Sequence, residues 1–379
     1  AIDACTRPFR AQGPRIEAAR KAAMEAVDRL GPRDIVSVVS YDDRVEVEVP
    51  ATRASNLSSI KNKIAQLTPR GSTAIWAGMQ AGANEVRKFK SREYVNRIIL
   101  LSDGLANQGP SRPEDFARLG RELAGEGMTV STIGLGLGYN EDLMAGLAQN
   151  ADGSHAFVQE PADLAGFLNR EFDDVAGIVA QDIEIRIRVS PGLKPMRSLG
   201  REARIEGDTI IYSVKQVIGG TDSVVLAEID LPAGNAAGGL EVARVDVRYR
   251  DAEGKEKSSA EQIVRASFGD AAASEKSLDE TVMRDVGTLT SRAARQEAIK
   301  LRDAGKHEEA EKKFKANAEY VRRLQATMPA SAAYEPLQSE LKANEAAAAP
   351  AARNQAEWDK VRKIQRQYDS NSAGASIKY

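Results

Sequence analysis

The sequence predicts an α/β chain: a doubly wound, mostly parallel sheet, then an antiparallel β-sandwich, then a C-terminal helical segment. Three observations carry this. The apolar run Arg97-Ile98-Ile99-Leu100-Leu101 stops on Ser102-Asp103-Gly104, which reads as a buried strand delivering a carboxylate to a sheet's end. Short β-branched runs alternate with helical spacings as far as about residue 180, as in a sheet covered by helices on both faces. Near Asp182 the apolar period drops to two.

The elements follow in order. Asp34 to Tyr41 is β-branched and bounded by Gly31-Pro32, and Arg44 to Val49 alternates valine with charge, so the two predict a strand pair. Ser58 to Leu67 spaces Ile60, Ile64 and Leu67 as a helix does, and Ala77 to Lys88 is helical. Pro113 to Gly125 starts on proline and ends on glycine, the asymmetry of a helix. Met128 to Gly134 is a buried strand, Asn140 to Gln149 a short helix, and Ala156 to Val158 the closing strand before a last helix from Pro161 to about Val179. Beyond Asp182, Ile183, Ile185, Ile187 and Val189 alternate with polar residues, as do Val245, Val247 and Tyr249. With Ile210 to Val214 and Val224 to Leu231 they predict a sandwich over 181–268. Residues 277–368 are helical in character, with one hairpin of tetratricopeptide type that puts Ala310, Phe314 and Tyr320 inside. Ala346 to Ala352 reads as a hinge, and 369–379 as disordered.

Bulk composition narrows the function. At 379 residues the chain can hold two or three domains, each burying its own core. With 53 basic and 55 acidic residues, the net charge of -2 gives no overall field for nucleic acid or anionic lipid. The single cysteine, Cys5, excludes an internal disulfide. No run of about twenty apolar residues is present to form a spanning helix, so an ion-pore role has no lining element.

Chemistry gathers at two loops. Thr73 sits in Gly71-Ser72-Thr73-Ala74, just before a helix, and Asp103 ends its strand. A carboxylate and a hydroxyl on one edge of a parallel sheet are the hard oxygen donors that Mg²⁺ or Ca²⁺ selects. The alternative is that each caps the helix after it.

The first domain, 1–180, resembles the von Willebrand factor type A family. The resemblance rests on Pro14 to Ala23 as its first helix, Asp34 to Asp43 as its second strand, Gly71 to Gly78 as its threonine loop, Leu100 to Gly104 as its fourth strand and aspartate, and Val158 to Phe172 as its last helix. Domain, sandwich and helical tail together also resemble bacterial proteins described as calcium-activated chloride-channel homologues. The resemblance implies a metal-ion-dependent adhesion site made of Asp-x-Ser-x-Ser after the first strand, plus the threonine and aspartate already named. Asp3, Thr73 and Asp103 match it. Cys5 stands in place of the first serine and Arg7 in place of the second, a soft thiol and a cation where hard oxygens belong. A degenerate site in which Arg7 pairs with Asp3 or Asp103 is therefore an equal alternative.

In that family the first strand is central and takes roughly five or six apolar residues before its aspartate. This sequence offers Ala1-Ile2, so the expectation is a first strand truncated by loss of an N-terminal piece, with a strand donated by another chain as the alternative. The resemblance further implies adhesion or assembly rather than bond-breaking. A partner protein's acidic side chain would complete the metal's coordination, and ligation could be felt through the last helix at Asp182. Only the resemblance points to the periplasm or cell surface.

Other signals are weaker. Cys5-Thr6-Arg7-Pro8 has proline and arginine at the wrong offsets for a sulfatase signature. His155 and His307, the two histidines, read as solvent-facing turn residues rather than catalytic bases. Gly134-Leu135-Gly136-Leu137-Gly138 lacks the lysine of a phosphate loop, Lys306 to Lys315 makes i,i+4 pairs on a wet helix face, and Trp76 belongs to the core. The reading is thus a non-enzymatic protein-binding module with a degenerate metal site at Asp3, Thr73 and Asp103. The alternative is a structural scaffold with a dead site, assembling through its helical tail.

Overall fold

A computed structural model describes residues 2–3, 13–68, 73–91, 94–232, 239–270, 277–327, 334–349 and 354–373, with the single positions 273 and 352. Its first sheet runs β3-β2-β1-β4-β5-β6, and all neighbours are parallel except the edge pair β2–β3. The strands are β1 (Ile2–Asp3), β2 (Ile35–Tyr41), β3 (Val45–Arg53), β4 (Asn96–Ser102), β5 (Met128–Leu135) and β6 (His155–Val158). The helices are α1 (Gly13–Val27), α2 (Leu57–Ala65), α3 (Ile75–Arg87), α4 (Pro113–Gly125), α5 (Glu141–Asn150) and α6 (Leu164–Ala176).

Strand alternation explains the two helix layers. Successive side chains of β4 point to opposite faces, so Ile98 and Leu100 join one core with Met79, Phe116 and Leu143. Ile99 and Leu101 join the other, with Ala22 of α1 and Leu168 of α6. Both faces are covered, which is why β4 carries the unbroken apolar run Ile98 to Leu101 and every residue of β5 is buried. Local chemistry sets the helix starts. Asn56 caps α2 by accepting from Ser59 N, and Asn140 caps α5 by accepting from Leu143 N.

α6 ends at Ala176, and Val179, expected in that helix, already belongs to β7 (Ile178–Val189). The break falls at Gly177, whose carbonyl accepts from Gly219 N and so passes the chain to the second domain. That domain pairs β7 with β10 (Thr209–Ile218) and β12 (Leu240–Asp251). β9 (Arg204–Glu206), β13 (Glu256–Ser258) and β14 (Gln262–Ala266) extend this sheet. A second layer, β8 (Lys194–Leu199) with β11 (Leu226–Asp230), packs over Ile210, Tyr212 and Ala243.

The tail is α7 (Glu280–Asp303), α8 (His307–Ala326), α9 (Tyr334–Ala348) and α10 (Gln355–Ala373). Ala310 and Phe314 are buried in the α7–α8 hairpin and Tyr320 is half-buried, as their spacing predicts. The expected hinge differs. Ala346 to Ala348 finish α9, and Ala347 and Ala352 are buried against Trp358, so the alanines there are small core residues. Of the disorder expected over 369–379 the first part differs, because the helix α10 continues to Ala373 and Asp369 is buried, and 374–379 lie outside the described residues. Finally, α10 folds back on the first domain, where Gln367 Oε1 accepts from Phe157 N at 2.9 Å and so occupies the outer edge of β6. None of the described helices is long and apolar enough to cross a membrane.

Candidate functional site

β1 and β4 are neighbours, with Ile2 opposite Leu101, so Asp3 and Asp103 leave the same carboxyl-end rim. The strand position of Asp3 is all that is described for it, and Cys5 and Arg7 lie outside the described residues. Thr73 is fixed to the same rim. Its N–H donates to Asn107 Oδ1 at 2.8 Å and its carbonyl accepts from Asn107 N at 3.2 Å, zipping the threonine loop to the loop after β4. Its side chain reaches across as well: a methyl placed on Gly104 would lie 2.8 Å from Thr73 Oγ1. Glycine is what lets the Asp103 backbone approach that hydroxyl.

The capping alternative fails for both residues. α3 has Ala74 at its N-cap with no side-chain cap, and α4 begins ten residues after Asp103, behind Arg112. Thr73 and Asp103 are placed by the loops between them.

Asp103 is mostly buried, and burial pushes its carboxyl above the usual carboxylate range, with Arg15 pulling the other way. Arg15 Nη1 lies 3.4 Å from Asp103 Oδ2. A guanidinium therefore does stand at the carboxylate, but it comes from the first turn of α1. Gly136 gives it room, since a Cβ there would sit 2.9 Å from Arg15 Nη2. A Cβ on Gly138 would meet the Asp103 carbonyl at 2.9 Å, so the β5–α5 loop is the third wall of the rim. Leu105 and Leu137 stand exposed on either side.

Among the described residues, no three histidines, cysteines or carboxylates cluster closely enough to hold a metal. The Asp103 carboxylate and the Thr73 hydroxyl, carried on two loops joined through Asn107, are hard oxygens, the donor type that a hard divalent cation takes with water in its remaining positions. Sequence reasoning missed Arg15 and Asn107. One sign of Arg15 was available: a cation in a helix's first turn opposes the macrodipole unless an anion holds it there.

His155 departs from expectation. It is wholly buried on β6, with Thr132 Oγ1 2.9 Å from Nδ1 and Tyr139 Oη 3.1 Å from Nε2. Thr132 donates its hydroxyl hydrogen to Met144 O at 3.0 Å. It can therefore only accept from the imidazole, which places the proton on Nδ1 and makes Nε2 the acceptor for Tyr139. Burial pushes the imidazole down to about 3, with Lys363 adding to the effect. It is a neutral structural group.

Residues 10–170 match the family model of the von Willebrand factor type A domain. The chain carries a von Willebrand factor type A domain. Such domains are as a class protein-interaction modules. The chain is 27% identical to protein sll0103 of Synechocystis sp. over 179 residues, covering 47% of this chain and 42% of that protein. It is 27% identical to YfbK of Escherichia coli over 180 residues, covering 47% of this chain and 31% of that protein. The matched part is thus less than half the length of either relative. A von Willebrand factor type A structure from Catenulispora acidiphila superposes with a TM-score of 0.74 at 18% identity, covering 100% of this chain and 89% of that one. At that identity it shows a shared fold, here over domain, sandwich and helical tail together.

Proposed function

We propose that the chain is a non-enzymatic protein-binding module that meets its partner at the carboxyl-end rim of the type A domain. The observation that carries this is the loop zipper, in which Thr73 and Asn107 exchange backbone and side-chain hydrogen bonds beside Asp103. It fixes Thr73, itself buried, to the loop that follows Asp103, with Leu105 and Leu137 exposed on the same rim. Asp103 and Thr73, with Asp3 at the adjoining strand end, would hold Mg²⁺ or Ca²⁺. A cation with so few protein carboxylates keeps positive charge and open coordination for a partner's Asp or Glu. The chain's own groups position the donors, shelter Asp103 and, through Arg15, oppose the cation. The domain's class supports assembly or adhesion over catalysis.

The second reading, a scaffold with a dead site, is favoured by the Arg15–Asp103 pair, which already neutralises the carboxylate. Calorimetric titration of Mg²⁺, Ca²⁺ and Mn²⁺ into wild type and Asp103→Ala separates the two. Heat in the millimolar range or tighter that vanishes in the variant is expected for the metal-dependent rim. Silence in both proteins leaves the scaffold.

A further inference from the structure

A strand at the edge of a sheet presents unpaired N–H and C=O groups, and folds blunt it with proline, charge, brevity or a cover. β3 carries Pro50 and β8 carries Pro195. β11 carries Glu228 and Asp230, and β9 and β13 are three residues each. β6 is covered by Gln367. β14, Gln262-Ile263-Val264-Arg265-Ala266, has neither proline nor a covering strand among the described residues. It pairs with β12 on one side, and Ile263 and Val264, on its two faces, are 38% and 46% exposed.

We propose that β14 is a dimer seam, pairing antiparallel with β14 of a second copy of this chain about a two-fold axis at Ile263. The flanking charges choose both the occupant and the register. Pairing about Ile263 sets Glu261 opposite the partner's Arg265, and Arg265 opposite the partner's Glu261. Glu261 shares the face of Ile263, because it lies 3.1 Å from Arg244, which stands opposite Ile263 on β12. Arg265 is a spare cation on that face: it stands opposite Glu241, which Arg244 already holds at 2.7 Å. Ile263 then meets its own copy, and on the other face the two Val264 side chains lie diagonally across the seam. Each copy supplies what the other lacks, which is the self-complementarity a two-fold interface requires. Pairing about Val264 instead would set Ile263 against a cation and form no ion pair. The seam is shorter than a standard interface, so association is weak, with a Kd of about 10–100 µM.

Sedimentation velocity of the full chain, from well below to well above that Kd, tests the proposal. Wild type is expected to pass from monomer to dimer. Glu261→Arg meets a second cation across the seam and Arg265→Glu a second anion, each twice per dimer. Either change should weaken association about tenfold or more. Folding tolerates both, since Arg188 keeps Asp246 at 2.9 Å and Arg244 keeps Glu241. An equal mixture of the two variants regains both ion pairs and should associate as wild type does. Ile263→Lys, which sets two ammonium groups on the axis, should abolish association in wild-type and mixed backgrounds alike. Amide exchange within 262–266 of wild type should slow as concentration rises, while exchange in β3 stays constant. A wild type that remains monomeric overturns the proposal, and so does association that both single variants keep. Failure of the mixed variants to associate overturns the register and with it the choice of occupant. Exchange over 262–266 that is independent of concentration overturns the seam whatever the variants do.

Discussion

Lys363, on the last helix, donates through Nζ to the main-chain carbonyl of Tyr139 at 3.0 Å. The same ammonium lies 4.3 Å from the centre of the Tyr139 ring and pairs with Glu141. Tyr139 follows Gly138, whose backbone abuts Asp103, so the C-terminal helix grips the loop that forms one wall of the rim. Arg362 pairs with Glu141 and Asp142 and lies 2.8 Å from Asp303 of α7, so the grip spans two domains. The last helix of the tail is thus folded against the type A domain.

Lys363→Met should loosen that wall selectively. Glu141 keeps Arg362, so no carboxylate is stranded and the loss is that of two buried charged hydrogen bonds, about 3 kcal/mol. Amide exchange over residues 136–141 should speed up while the sandwich strands stay unchanged. A uniform change across the whole chain would mean that α10 contributes only global stability.

His155 makes folding depend on pH. Its folded value, about 3, lies below the ordinary 6.5, so as pH falls the unfolded chain takes up the proton first. The stabilisation is complete above about pH 6.5 and is lost progressively toward pH 3, up to about 5 kcal/mol in all. His155→Gln removes this component. The difference in Tm between wild type and variant, followed from pH 7 to 4, should shrink as the wild type loses its advantage; a constant difference would contradict it.

How legible all this was depends on how local the signal is. Asp103 could be read because an apolar run ends there on Asp-Gly, and Thr73 because a Gly-led loop precedes a helical spacing. Arg15 showed only as a cation in a helix's first turn, since the carboxylate that holds it is 88 positions away. His155 was misread for the same reason: Thr132, Tyr139 and Lys363 enclose it from three separated segments, and a lone histidine beside a short strand resembles a turn. α9 ends in an alanine run that composition reads as a hinge, although Ala347 is small because Trp358 packs there. The β-sandwich was legible from period two, but its start was placed at Asp182 because Ile178 and Val179 do not alternate with polar residues.

Arg15→Ala tests which cation the rim is built for. Without the guanidinium, 3.4 Å away, Asp103 keeps its burial and loses its counter-charge. A divalent ion then meets less electrostatic competition, and its affinity should rise about tenfold, equivalent to about 1.4 kcal/mol. Titration of Mn²⁺ with calorimetric detection measures this. An unchanged or weakened affinity would show that Arg15 is not competing for the site.

The helical tail has its own point of failure. Arg295 is wholly buried and pairs with Glu340 and Asp369, which are buried equally. Arg292 lies 3.0 Å from Glu340, and Ser291 donates to it at 2.9 Å, so one arginine, two carboxylates and their supports close the core where α7, α9 and α10 meet. Arg295→Leu matches much of the volume but leaves Asp369 without its counter-charge in a dry interior. The expected loss is about 3–5 kcal/mol, well above that of a surface arginine. Arg295→Leu combined with Asp369→Leu removes the stranded charge along with its partner, while Glu340 keeps Arg292, and should recover most of that loss. Urea denaturation of wild type and the two variants decides it. If the double variant is no more stable than Arg295→Leu alone, the cluster is held by its packing shape rather than by its charges.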